Sequence, residues 1–136
     1  MSAPIPTRWV TQLRGQLDDA DRRMTLADRR AAEGDGGRAL QEAYPGVMAA
    51  ALAQVWLADE SWQRTRTVQE YGGMVRAELP SGFMTLAEMQ ADSRSFVGWR
   101  VEDARALLDE ARRFIGAVRS EFDRRLTPPS AQDPQP

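Results

Sequence analysis

Residues 38–58 read RALQEAYPGVMAAALAQVWLA and form the most apolar long stretch of the sequence. Their large side chains recur at steps of three and four residues, the spacing that places side chains on one face of a helix. Alanines beside this stripe allow neighbouring helices to approach closely. The stretch therefore predicts a central helix against which the rest of the chain packs. The stripe consists of Leu40, Tyr44, Val47, Met48, Ala51, Leu52, Val55 and Trp56.

Pro45 lies inside this predicted central helix. A proline there removes one backbone hydrogen bond and clashes with the carbonyl of Gln41, and Gly46 follows it, so we expect a kink. The alternative is a short turn from Arg38 to Ala43, followed by a new helix with Pro45 near its first position. We favour the continuous, kinked helix because the apolar stripe keeps its phase across the proline.

Two further long helices flank the central one. The first is expected to begin after Thr7, which can cap it, and to end in the glycine cluster at 33–37. The last is expected to run from about Val101 to about Arg125, with the narrow apolar stripe of a bundle helix. The first stripe is Trp9, Leu13, Leu17, Ala20, Met24 and Ala27; the last is Val101, Ala104, Leu108, Ala111, Ile115, Val118 and Phe122.

The segment between the central and last helices is less regular. Residues 59–70 could continue as helix, but β-branched side chains weaken that prediction, and Gly72 and Gly73 then break the pattern. Residues 74–79 make at most a short helical turn. Thr85 and Glu88 have the spacing of a capping box, which predicts a short helix to about Phe96, ended by Gly98.

These elements predict one all-α domain, an up-and-down antiparallel helical bundle of four to five helices. Residues 1–7 are expected to be a flexible N-terminus and residues 8–126 the bundle. Residues 127–136 hold four prolines and no large apolar side chain, so we expect a disordered tail.

Composition excludes several kinds of chemistry. The sequence has no cysteine and no histidine, which excludes disulfides and thiolate chemistry and removes the commonest general base and metal ligand. The carboxylates are interpreted as solvated charge, so neither a metal nor a cofactor is expected. The net charge of −2 argues against bulk attraction to nucleic acid. With no signal-peptide pattern and no membrane-spanning run, the expected location is the cytoplasm.

Residues 62–71 interleave aromatic side chains with cations, a composition suited to single-stranded nucleic acid. The residues concerned are Trp62, Arg64, Arg66 and Tyr71. The alternative interpretation places Trp62 in the core and pairs the arginines with nearby carboxylates. These carboxylates belong to Asp59, Glu60 and Glu70.

Several segments resemble HEPN domains. Residues 26–35, with their Gly-Asp ending, and residues 38–53, with Ala43-Tyr44 and the alanine-rich run, are similar to the first helical hairpin of that family. Residues 104–122 resemble its closing helix, and residues 78–94 its middle connection and short helix. The resemblance implies a helical bundle, often dimeric. Many family members are metal-independent ribonucleases or toxins, often encoded beside a nucleotidyltransferase-type antitoxin in bacteria.

The active motif of that family is an arginine, four residues, a histidine, one residue and a tyrosine. Arg64, Gln69 and Tyr71 match its spacing, with glutamine in the histidine position. Arg94 to Trp99 matches variants in which an aromatic follows the arginine, again without histidine. Glutamine does not exchange protons near neutral pH, so the catalytic part of the resemblance is not carried over.

The resemblance therefore implies a non-catalytic HEPN-like interaction module that acts as a homodimer or binds a partner protein, such as a nucleotidyltransferase-like one. Large apolar residues beyond the needs of one helical seam, namely Phe83, Trp99 and one of Trp56 or Trp62, motivate this hypothesis. The alternative is an RNA-binding HEPN protein, ribonuclease or toxin of a two-component toxin–antitoxin pair. A third hypothesis is a subunit of a larger helical assembly with no relation to HEPN domains. The candidate RNA- or partner-binding residues are Arg64, Arg66, Gln69, Tyr71, Arg94 and Trp99.

Overall fold

The computed structural model describes residues 4–84 and 98–126, and these residues form helices joined by short turns and loops, with no strand among them. The helices are α1 (Thr7–Ala32), α2 (Gly36–Asp59), α3 (Val68–Glu78) and α4 (Val101–Leu126). Residues Ser61–Gln63 form a 3-10 turn, and residues 81–84 are also helical. This architecture confirms the all-α bundle. The capping box expected at Thr85, the short helix to Phe96 and the proline-rich tail lie outside the described residues.

Helix α2 is the centre of the bundle, and α1, α3 and α4 all pack on it. Its fully buried side chains include Leu40, Val47 and Leu57, together with a run of buried alanines. The predicted stripes of the first and last helices are buried too, apart from Trp9 and Val101, which are half-buried. The periodicity of the sequence therefore located the core correctly in the first and last helices, whereas Met48, Leu52 and Trp56 of the predicted central stripe are only half-buried.

Contacts at both ends of α2 fix the directions of its neighbours. The backbone carbonyl of Arg100, just before α4, lies against Gly36 at the start of α2. Arg125, near the end of α4, donates a hydrogen bond to the carbonyl of Leu57, near the end of α2. Helices α2 and α4 thus run parallel. Arg112 and Arg119 of α4 pair with carboxylates of α1 in reverse order along the chain, so α1 is antiparallel to both.

Helix α2 is continuous through Pro45. It begins at the cap residue Asp35, whose carboxylate accepts a hydrogen bond from the backbone N–H of Arg38 at 3.0 Å. The favoured continuous helix is confirmed, and the alternative of a new helix starting near Pro45 is wrong. The cap expected from Thr7 is also wrong, because Thr7 is already the first residue of α1 and Pro6 occupies the cap position without a side-chain hydrogen bond.

Helix α3 corrects the prediction of a break at Gly72 and Gly73, which lie in its interior. A capping box starts this helix: the hydroxyl of Thr67 accepts from the N–H of Glu70 at 3.1 Å, and the Glu70 carboxylate accepts from the N–H of Thr67 at 3.4 Å. Helix α2 ends at Asp59, and the next residue, Glu60, adopts a left-handed backbone conformation with φ of 52°. The central helix therefore does not continue through residues 59–70, a possibility that the β-branched side chains already weakened.

Candidate protein-binding groove

A groove runs along α2 between α1 and α3. Both helices pack on α2, but within the described structure they make hardly any contact with each other, and the space between them has a volume of about 460 Å³. Helix α2 forms its floor. The lining residues are Gln16 and Asp19 of α1, Pro45, Met48, Ala49 and Leu52 of α2, and Val68, Tyr71, Gly72 and Val75 of α3.

The floor and one wall of this groove are apolar. Met48 and Leu52 lie one helical turn apart on α2 and are only half-buried, and half-buried Tyr71 faces them from α3. Val68 at the rim is 88% exposed, the highest value for a large apolar residue in the described part of the chain. Covering a side chain of this kind contributes about 1.5–3 kcal/mol, so the groove is suited to an apolar binding partner.

The groove continues toward the end of α2 as a second hollow of about 440 Å³, which shares Gln16 and Asp19 with the first. Trp56 lies at its far end, and Gly15 of α1 forms part of its wall. Trp56 stands edge-on to Trp9, with ring centroids 5.3 Å apart, and the ring of Trp9 lies 6.1 Å from that of Trp62. The extended groove thus ends at a cluster of tryptophans.

Two glycines leave backbone uncovered in the groove walls. A Cβ atom built at Gly15 or Gly72 meets no described atom within 4 Å, although a glycine inside a helix costs about 1 kcal/mol relative to alanine. By contrast, a Cβ atom at Gly36 would lie 2.7 Å from the carbonyl oxygen of Trp99. Packing between described parts of the chain therefore explains Gly36 but explains neither Gly15 nor Gly72.

The loop from α2 to α3 is organised by one nearly buried carboxylate. The Asp59 side chain is 6% exposed and accepts two hydrogen bonds from Arg66, at 2.5 Å from Nη2 and 3.1 Å from Nε. The hydroxyl of Ser61 donates to the same carboxylate at 2.9 Å. The hydrogen bonds from Arg66 are the main cause of the lowered pKa of Asp59. A second carboxylate, that of Glu70, accepts from Arg66 Nη1 at 3.3 Å.

The structure places the candidate residues in different surroundings. Arg64 and Arg66 both contact Asp59, as the alternative interpretation of this segment proposed. Gln69 is exposed on α3, and Tyr71 lies in the groove. Trp99 is half-buried just before α4. Arg94 lies outside the described residues.

The remaining aromatic residues correct one expectation. Phe83 is fully buried, so it contributes no spare apolar surface. The ring of Trp62 is covered by the Arg125 guanidinium at 5.6 Å from its centroid. Of the tryptophans offered as alternatives, Trp56 is the one that lines the extended groove. Sequence reasoning missed Val68 and the α3 wall, although Thr67 and Glu70 have the spacing of a capping box.

In the described ranges, no cluster of three or more acidic residues is arranged to hold a metal ion, and no helix has the length and apolarity needed to cross a membrane. Comparison of the chain with protein-family models, with curated proteins and with solved structures gives no match.

Proposed function

We propose that this chain is a non-catalytic, HEPN-like helical interaction module that forms a homodimer through the groove between α1 and α3. One observation carries the proposal: the floor and the α3 wall of the groove are apolar, and the side chain at its rim, Val68, is 88% exposed. An apolar floor beside an apolar rim is typical of a surface covered by another protein.

A second copy of the chain is the occupant that best suits this surface. In a two-fold contact the same patch of both copies is used, so a ridge on one copy must fit a hollow on the other. Helix α3 supplies the ridge, with Val68 at its start, and the adjacent floor of Met48 and Leu52 supplies the hollow. Gly72 on this ridge has open space around its Cα, which allows two α3 helices to approach closely.

The size of the groove indicates a weak dimer. From Pro45 to Trp56, α2 rises about 16 Å, and the helices on either side lie about 10 Å away. The face therefore covers roughly 320 Å² in projection, well below the ~800 Å² that a standard interface takes from each partner. Because buried area does not by itself set affinity, we take a dissociation constant of about 100 μM, equivalent to about −5.5 kcal/mol, as the value to be tested.

The site residues favour adhesion over catalysis. Gln69 occupies the position of the motif histidine, and an amide does not transfer protons near neutral pH. Arg64 and Arg66 face the carboxylate of Asp59. This carboxylate compensates positive charge that would otherwise attract an RNA phosphate. These pairings weaken the alternative of an RNA-binding or RNA-cleaving HEPN protein.

The test is the molar mass in solution as a function of protein concentration. Sedimentation equilibrium of the wild type is expected to show monomer at about 5 μM and a large dimer fraction at about 500 μM, five times the expected dissociation constant. Val68→Glu is expected to keep the protein monomeric at both concentrations. The matched control Ala117→Glu adds the same charge on an exposed position of α4 and is expected to leave the dimer intact.

A wild type that stays monomeric at the higher concentration would overturn the homodimer. A dimer that Val68→Glu leaves unchanged would place the contact on another surface and would equally overturn this proposal. If mixing with a nucleotidyltransferase-like protein gave a complex while the chain alone stayed monomeric, the occupant would be a partner protein instead of a second copy.

A further inference from the structure

We propose that the ion pair between Asp59 and Arg66 positions the first half of α3, and with it the α3 wall of the groove. The consequence for dimerisation rests on the proposed function above. The positioning itself does not, because it concerns contacts within a single chain.

The first half of α3 has little apolar attachment to the bundle. Val75 is the buried residue of this helix, and it lies in the second half. In the first half, described positions 68, 69, 70, 72 and 73 are exposed, and Tyr71 is half-buried. Apolar burial therefore anchors the end of α3 and the following Leu79, but it does little to hold the beginning.

The ion pair supplies the missing attachment. Asp59 is the last residue of α2, the best-buried helix of the bundle, and its carboxylate receives a bidentate contact from Arg66. Bidentate contacts between arginine and carboxylate fix orientation as well as distance. Arg66 in turn bonds Glu70 in the first turn of α3. A continuous set of charged hydrogen bonds thus runs from the end of α2 to the start of α3.

Arg66 is the important partner of Asp59, and Arg64 is secondary. The Arg66 side chain is 29% exposed and its Nη2 lies 2.5 Å from the carboxylate, whereas Arg64 is 55% exposed and its Nε lies 3.5 Å away. Arg64 makes its shorter contact, at 2.7 Å, to the backbone carbonyl of Asp59. Arg64 is therefore the more distant and more exposed of the two arginines that face this carboxylate.

Amide hydrogen exchange measured on dilute protein, where no dimer forms, tests the positioning. Because each variant removes the charged hydrogen bonds between Asp59 and Arg66, Asp59→Asn and Arg66→Gln are each expected to speed exchange at Gly72 and Gly73 about 10- to 100-fold. Exchange in the middle of α1 and α4 is expected to stay unchanged. The double variant is expected to match the single variants, and Arg66→Lys to fall between Arg66→Gln and wild type.

The control variant is Arg119→Gln. Arg119 bonds Asp18 and Asp21 of α1 from α4, so its loss removes cross-helix ion pairs at a different seam. It is expected to leave α3 exchange at the wild-type rate. Unchanged α3 exchange in both Asp59→Asn and Arg66→Gln would overturn the positioning role, and so would equal acceleration in every helix, which indicates a loss of global stability.

Sedimentation of the same variants separates this inference from the proposed function. If α3 exchange responds as expected and the wild type never dimerises, the positioning role stands and the homodimer fails. If the wild type dimerises and α3 exchange does not respond, the homodimer stands and the positioning role fails. If both hold, Asp59→Asn is expected to raise the apparent dimer dissociation constant only as far as it lowers the fraction of chains with α3 closed.

Discussion

Replacement of Gly72 by alanine is expected to have opposite effects on folding and on association. Gly72 lies in the interior of α3, and a Cβ atom there meets no described atom within 4 Å. Alanine is therefore accommodated without strain. Its higher helix propensity is expected to increase the free energy of unfolding by about 0.8–1 kcal/mol, which corresponds to roughly 3–5 °C in the melting temperature of a chain of this size.

The same methyl group is expected to weaken the dimer. In the proposed contact the backbone of α3 at Gly72 lies against the second copy, so a Cβ atom on each copy pushes the two helices apart. The distance between packed helix axes depends on the side chains at the contact. We expect the dissociation constant to rise about tenfold, equivalent to a loss of about 1.4 kcal/mol.

The assay combines thermal melting by circular dichroism at low concentration with sedimentation equilibrium at high concentration. Gly116→Ala is the matched control, because Gly116 is also a helical glycine without a described neighbour within 4 Å, but it lies in a hollow between α1 and α4. It is expected to raise the melting temperature and leave association unchanged. A Gly72→Ala protein that is both more stable and a tighter dimer would refute the close approach of two α3 helices at this residue.

Four further predictions concern the bundle itself. Leu17→Ala removes a fully buried side chain and is expected to cost about 2–5 kcal/mol in chemical denaturation. Gly36→Ala places a Cβ atom 2.7 Å from a backbone carbonyl and is expected to lower the melting temperature. Arg125→Gln removes the hydrogen bond to Leu57 at the end of α2 and is expected to cost about 1.5–3 kcal/mol. Because Arg66 lowers the pKa of Asp59, the ion pair stabilises the start of α3 at neutral pH, and this stabilisation is lost as the pH falls through the lowered pKa, below the usual value of about 3.9. Amide exchange in α3, measured as a function of pH, is expected to show this loss in the wild type and not in Asp59→Asn.

The long helices could be predicted from the sequence because their burial repeats with the period of a helix. Leu13, Leu17 and Ala20 in α1, and Leu108 and Ile115 in α4, occupy the positions that the pattern assigned to the core. Continuity of α2 through Pro45 was also predictable, since the apolar positions keep their phase on both sides of the proline. In α2, tertiary burial therefore outweighs the low helix propensity of Pro45 and Gly46.

Helix α3 could not be predicted in the same way. Its single buried residue, Val75, gives no periodic pattern, and Gly72 and Gly73 resemble helix breakers. What starts the helix is local hydrogen bonding by Thr67 and Glu70, a signal that the sequence contains but that the interpretation of residues 59–70 as a possible continuation of the central helix did not use. The groove depends on the placement of α3, so its position could not be derived from the sequence.

The tryptophan cluster gives this protein an internal optical reporter. Trp9, Trp56 and Trp62 stand at the end of the bundle where α2 finishes, and Arg125 lies over one of the rings. The remaining tryptophan, Trp99, precedes α4 beside the start of α2. In a Trp99→Phe variant, intrinsic fluorescence would therefore follow one end of the molecule alone, and a difference between its unfolding curve and that of the wild type would reveal whether the two ends melt together.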